Sequence, residues 1–395
     1  MSDLRTVLAT REVPTLLTTS MAGRLPTAMA TLAVLLLVRG QHGSYTLAGA
    51  LAALFTAGAA IGQPALARLV DRRGQFVVLA ASAGVSTAGF AVLAVTGARH
   101  PVPSALAAAV AGLATPPLEP CLRSLWPHVV EGGSVLRAAF SLDVGLQEII
   151  FVAGPLLTVA AVGVAGDAGG VLGCALFGIA GTAGFAVTGA SRHWRPHPMA
   201  EGPHGSPLQH PPLLRVFAVA FAGGVPVGAL AIVAAAFAAR HGHSAITGWA
   251  LAANAGGALI SGLWGAVHPR TAPASGPAIT RAGLALAAGY LPLALPLPVP
   301  LWLAAAVLSG LALPVLLGLV FQRVNEVSPP NLVTEANAWV VTAFGLGAAL
   351  AALSAGVVTD RLAHGTAVAA IVLATAAVTT IGSLASAERV QPGQV

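Results

Sequence analysis

Lysine is absent from this chain, and charge of either sign is scarce: all 19 basic residues are arginine, the acids number 13, and together they make up 8% of 395 residues. A water-soluble fold of this length needs far more polar surface to cover itself. Aromatic residues are also few, at 5%. The arginines are scattered, so the interleaved basic and aromatic patches that hold nucleic acid are missing, despite an isoelectric point near 10.9. Only two cysteines occur, Cys121 and Cys174. Both lie in apolar runs, where a thiol behaves as a small hydrophobe and no disulfide framework is expected. Phosphate loops, nucleophile elbows and zinc-protease helices have no match, so the sequence reads as neither a nucleotide-driven nor a hydrolytic protein, and as no enzyme.

What fills the chain is apolar. Hydrophobic residues make up 56% and mean hydropathy is +0.84, values that suit helices of about 20 residues crossing a ~30 Å hydrocarbon core. Runs bounded by charge, Gly or Pro predict twelve spans, starting near Pro14, Thr46, Gln75, Ser104, Ala138, Gly169, Leu213, Ala245, Pro277, Leu301, Leu332 and Gly365. The fold class is therefore an all-α membrane protein. Met1 to Val13 is too short and polar for a signal peptide's apolar region, so the first span is expected to act as an uncleaved insertion signal.

With both termini in the cytoplasm, fourteen arginines fall inside and four outside (Arg39, Arg99, Arg240 and Arg361), as the positive-inside rule requires. The longest polar stretch, Ser191 to Pro212, divides the chain into residues 1–190, a linker 191–212 and residues 213–395. Gly112-Leu113-Ala114-Thr115-Pro116 recurs as Gly310-Leu311-Ala312-Leu313-Pro314, 198 residues on, and Gly49, Gly58 and Ile61 align with Gly248, Gly257 and Ile260 at an offset of 199. Two nearly equal periods fit two six-helix bundles related by an axis along the membrane normal.

The turn after the second span reads Ala67-Arg68-Leu69-Val70-Asp71-Arg72-Arg73-Gly74-Gln75. It resembles the first-loop signature of major facilitator superfamily transporters, roughly Gly-x-Leu-Ala-Asp-Arg-x-Gly-Arg-Arg, matching at Leu69, Asp71, Arg72 and Gly74. Ala67 stands for the first Gly, and Gln75 and Phe76 for the closing basic pair. The resemblance implies a twelve-span transporter with a gating role for Asp71, Arg72 and Gly74. Gly74 permits the chain reversal, and the Asp71 carboxylate can dock on the N-terminal end of the eleventh span, near Asn331. The matching loop of the second half, His268-Pro269-Arg270-Thr271-Ala272-Pro273, lacks the acid. Gly154-Pro155 in the fifth span resembles part of the motif of the drug/proton antiporter branch, and also reads as a plain helix kink.

Charges at bilayer depth are costly, so those present need a partner or a wet cavity. Arg24 and Glu148 each lie about ten residues into their spans and are expected to meet, with Glu148 as the proton-coupling acid. A permanent structural pair is the alternative. Glu119 and Arg123 share a helix face four residues apart, and Pro116, Pro117 and Pro120 mark a bent helix there. That pair is either a second coupling element or a local ion pair. Asp143 and Glu335 are placed at helix starts, where a gating or capping role is expected. Gln147, Trp249, Asn254, Asn337 and Trp339 are the expected wall of a largely apolar substrate cavity. His193, His197, His241 and His243 lie in loops broken by Pro or Gly and read as solvated, so no metal site is expected.

The sequence thus points to a proton-coupled exporter of a drug-like or secondary-metabolite compound, by alternating access. A nutrient importer and a non-transporting receptor or scaffold on the same fold are the alternatives. Partners are a small-molecule substrate, protons and the lipid bilayer, with no nucleic acid. The expected form is a monomer that uses the proton gradient in place of a cofactor. All-arginine basic usage with abundant Ala, Gly and Pro points to the cytoplasmic membrane of a GC-rich bacterium.

Overall fold

A computed structural model describes residues 2–194, 205–243, 245–268 and 274–361. Among them every regular element is helical: α1 (Ser2–Ala9), α2 (Val13–Gly40), α3 (Tyr45–Arg73), α4 (Gln75–Thr96), α5 (Pro101–Leu113), α6 (Leu118–Val129), α7 (Gly133–Ala165), α8 (Gly169–Ala186), α9 (Gly189–His193), α10 (Pro211–His241), α11 (Ala245–Val267), α12 (Gly276–Tyr290), α13 (Val299–Gly310), α14 (Leu313–Val327) and α15 (Val333–Arg361). Ten of the described helical segments are long and apolar enough to cross a membrane, α5–α6 and α13–α14 each counting as one. Large apolar side chains on them face outward, as at Val164 and Val95, 90% and 80% exposed. The protein is an integral membrane protein whose outer surface is solvated by lipid.

The expected twelve spans are not all seen. The ninth is α12, only 15 residues long and followed by a 3-10 turn, Leu291–Ala294. The twelfth, near Gly365, lies outside the described residues, as do residues 195–204 of the linker and 269–273 of the second-half loop. Two boundaries also move. The fourth span starts at Pro101 rather than Ser104, and the fifth at Gly133 rather than Ala138. In both cases the helix runs past the apolar stretch, because a helix needs backbone pairing rather than lipid to continue.

Local chemistry sets the ends. Ser44 accepts a hydrogen bond from Leu47 N at the start of α3. Gly74, at φ 91°, lets α4 start directly after α3. The two copies of the repeated pentapeptide fall at equivalent breaks, between α5 and α6 and between α13 and α14, where proline withdraws a backbone donor. Their packing repeats too. A Cβ on Gly112 would strike the carbonyl of Phe55 in α3, and one on Gly310 the carbonyl of Asn254 in α11; likewise Gly58 meets Ala109, and Gly257 meets Val307. Each pair recurs at an offset of 198 or 199 residues. Small residues thus let backbones touch at corresponding places, the usual way of packing helices where lipid removes the hydrophobic drive.

Helices α2 to α8 pack on one another, as do α10 to α15, and the two sets meet where α7 packs on α11 and α14, and α15 on α3 and α6. Short α1, not anticipated from the sequence, lies across this junction against α2, α7 and α11, with Val7 fully buried.

Candidate functional site

The contacts between the two sets cluster at the end of the molecule that carries the turn after α3. Helix α15 begins at Val333, and the preceding Leu332 has no side-chain acceptor for the free N–H groups of the first turn. Asp71 supplies it from the other set: Thr334 N donates to Asp71 Oδ1 at 3.2 Å and Glu335 N to Oδ2 at 2.8 Å. The contact expected between Asp71 and the start of the eleventh span is present. Beside it, Arg68 Nε pairs with Glu335 Oε2 at 2.8 Å, and Trp339 Nε1 donates to Glu335 Oε1 at 3.3 Å. Arg68 lies three residues before Asp71 on the same helix face, a spacing that could have singled it out from the sequence. Arg72 is exposed, and among the described residues no ion pair links it to the other set.

A few residues deeper, four charges close a ring. Arg24 of α2 pairs with Asp143 Oδ1 at 3.0 Å and Glu119 Oε2 at 3.1 Å. Arg123 of α6 pairs through Nε with Asp143 Oδ2 at 2.8 Å and through Nη1 with Glu119. Two arginines and two carboxylates balance, and each acid is shared by both bases. Such a ring is costly to desolvate but costlier to leave incomplete. Arg123 also carries the link onward: its guanidinium carbon lies 3.4 Å from the ring centroid of Phe321 in α14, a cation–π contact between the sets. Further along, α7 and α11 touch backbone to backbone, since a Cβ on Gly145 would fall 3.0 Å from the Cα of Gly262.

The expected pairing of Arg24 with Glu148 is corrected. Arg24 lies 11 residues beyond Val13, Asp143 lies 10 beyond Gly133 and Glu148 lies 15 beyond it. At ~1.5 Å per residue, Asp143 is therefore the acid at the depth of Arg24, and Glu148 points about 140° away round the helix. Glu148 is half-buried, and among the described residues no ion pair involves it. Asp143 is likewise not a helix-start residue, because its carboxylate meets arginines rather than free N–H groups.

Residues 16–352 match the Major Facilitator Superfamily. The chain belongs to that superfamily of membrane transporters. Its fold is similar to the crystal structure of the human organic anion transporter MFSD10 (TETRAN), with a TM-score of 0.72 at 12% identity over 97% of this chain and 99% of that one. It is also similar to a bacterial homologue of the iron transporter ferroportin in its outward-facing state, with a TM-score of 0.68 at 14% identity over 94% and 97%. No curated protein sequence matches the chain.

The remaining expected residues of this major facilitator protein divide by position. Asn254 is buried, and its amide donates to Ser309 Oγ at 2.8 Å and the Tyr290 hydroxyl at 3.4 Å. That cluster ties α11, α12 and α13 together, so the donors of Asn254 are used within the second set. Nothing in the sequence marks Ser309 or Tyr290 as its partners. Asn337 is fully buried and donates to Val333 O at 2.9 Å. Trp339 serves Glu335, and Trp249 is 57% exposed one turn into α11. Gln147 is half-buried, with its Oε1 unpaired. Around Pro155, α7 continues as one helix, and Gly154 is a point of close approach, where a Cβ would lie 2.7 Å from that of Ala28 in α2.

Proposed function

We propose that this transporter works by alternating access between two six-helix bundles, residues 1–190 and 213–395, joined by the linker 191–212. In this reading both termini and the Asp71 turn face the cytoplasm of a bacterial cell, and the closed junction belongs to an outward-facing state. The observation that carries the reading is Asp71 capping α15 across the two helix sets. A helix start that borrows its acceptor from another bundle is satisfied when that end is closed, and must find water when it opens. Two charge-assisted bonds are worth ~1.5–3 kcal/mol each, enough to bias a conformational equilibrium by orders of magnitude. Arg68 with Glu335, and Arg123 on Phe321, break in the same movement.

Transport is read as export of a lipophilic or amphipathic compound driven by proton entry. Support comes from Asn254 in the second set, whose amide donors are spent on Ser309 and Tyr290, leaving them little to offer a sugar-like substrate. Glu148 is the carboxyl group available for the proton, because Glu119 and Asp143 are each held by two arginines. Everted vesicles test this directly: drug-like cation uptake should follow an imposed proton gradient with the wild type and lose that dependence with Glu148→Gln. Gradient-driven uptake equal to wild type in that variant would remove Glu148 from the scheme.

A further inference from the structure

Beside the Asp71 turn, on the outer face of the first helix set, is a cavity of ≈ 220 Å³ lined by Arg73, Phe76, Val77, Arg192 and Trp194 together with the backbone of the turn. Both arginines are exposed, and the Arg192 guanidinium carbon lies 5.9 Å from the ring centroid of Phe76. The position matters as much as the charge. The apolar span of α4 begins at Gln75, so the cavity sits at the height where hydrocarbon gives way to headgroups. Phe76 and Val77, 42% and 57% exposed, continue from it along the lipid-facing side. Trp194 is placed as tryptophans commonly are at that boundary.

We propose that this cavity binds the phosphate of an anionic phospholipid, with its acyl chains lying along Phe76 and Val77. Two guanidinium groups on separate elements, the end of α3 and α9, can grip one phosphate from two sides, and arginine suits phosphate by its planar donor geometry. A soluble phosphate would satisfy the arginines but leave the adjoining apolar strip unused. The bound lipid would also brace a turn that begins two residues after Asp71. The proposal does not depend on the substrate or the coupling ion.

The test uses the full-length protein in a neutral detergent, titrated separately with phosphatidylglycerol, phosphatidylcholine and inorganic phosphate while its thermal midpoint is followed. Phosphatidylglycerol should raise the midpoint and phosphatidylcholine should not. Arg73→Gln and Arg192→Gln should each weaken the response by about fivefold, the effect of one arginine at a membrane surface. Equal protection by inorganic phosphate would overturn a lipid ligand, and an unchanged phosphatidylglycerol response in the double variant would overturn the site. A second measurement covers failure of the double variant to fold: brominated phosphatidylglycerol should quench Trp194 fluorescence more than brominated phosphatidylcholine, with Trp194→Phe supplying the background. Equal quenching by the two lipids would also sink the proposal.

Discussion

Within each helix set a largely buried polar cluster ties three helices together, by charge in the first and by neutral hydrogen bonds in the second. In the first, Arg24, Glu119, Arg123 and Asp143 form a closed ionic ring that reaches the other set through Phe321. In the second, Asn254, Ser309 and Tyr290 form a neutral hydrogen-bonded cluster that links three of its own helices. Removing one member of the ring leaves a buried charge short of its partner, whereas removing one member of the neutral cluster leaves only an unpaired dipole. The contrast makes α2, α6 and α7 the helices most sensitive to the loss of a single buried polar group.

The hardest blow to this contrast is Asp143→Asn, which leaves two buried arginines sharing one carboxylate. A loss of about 3–5 kcal/mol in stability is expected, read as a large drop in thermal midpoint in detergent; an unchanged midpoint would mean that the ring is not holding the first set together. Next comes Gly262→Val, which forces a side chain between α11 and α7 at a cost of about 1–3 kcal/mol. Thiol labelling of a cysteine placed at Ser141 should then speed up, and labelling at the wild-type rate would show that the contact does not close this end. Ser309→Ala removes two neutral bonds, one accepted from Asn254 and one donated to Ala306 O, and should cost only ~1–2 kcal/mol. If it destabilises as much as Asp143→Asn, the second set is no quieter than the first. The smallest effect is expected from Arg68→Gln, since Arg68 is 38% exposed and such pairs contribute ~0.2–1 kcal/mol. Its test is transport rate, which should fall far less than with Asp71→Ala.

The junction at Asp71 is legible in the sequence because a charged, Gly-ended turn between apolar runs matches the superfamily's first-loop signature, and a carboxylate there suits the N-terminal end of a helix. Glu335 and the paired Glu119 and Arg123 were legible for similar short-range reasons. The Arg24 partner was not. The apolar run of the fifth span starts at Ala138, while α7 begins at Gly133, after Gly132 at φ 90°, and passes through the charged Arg137. Five residues of unrecognised helix replaced the true acid with one on another face. The twelve apolar runs were readable as such, but apolarity does not show that α12 is short. The Asn254 cluster joins three helices distant in sequence, and only packing brings Ser309 and Tyr290 to it.

Gly145 and Gly262 meet where α7 crosses α11, with no side chain from either residue in between. Interdigitated knobs must climb past one another before two helices can part, so their separation is slow and their return depends on finding the old notches. Bare main chain against bare main chain has no such teeth. Parting along this seam would meet little steric resistance, so the charged contacts around it are what hold the two helix sets together at this end.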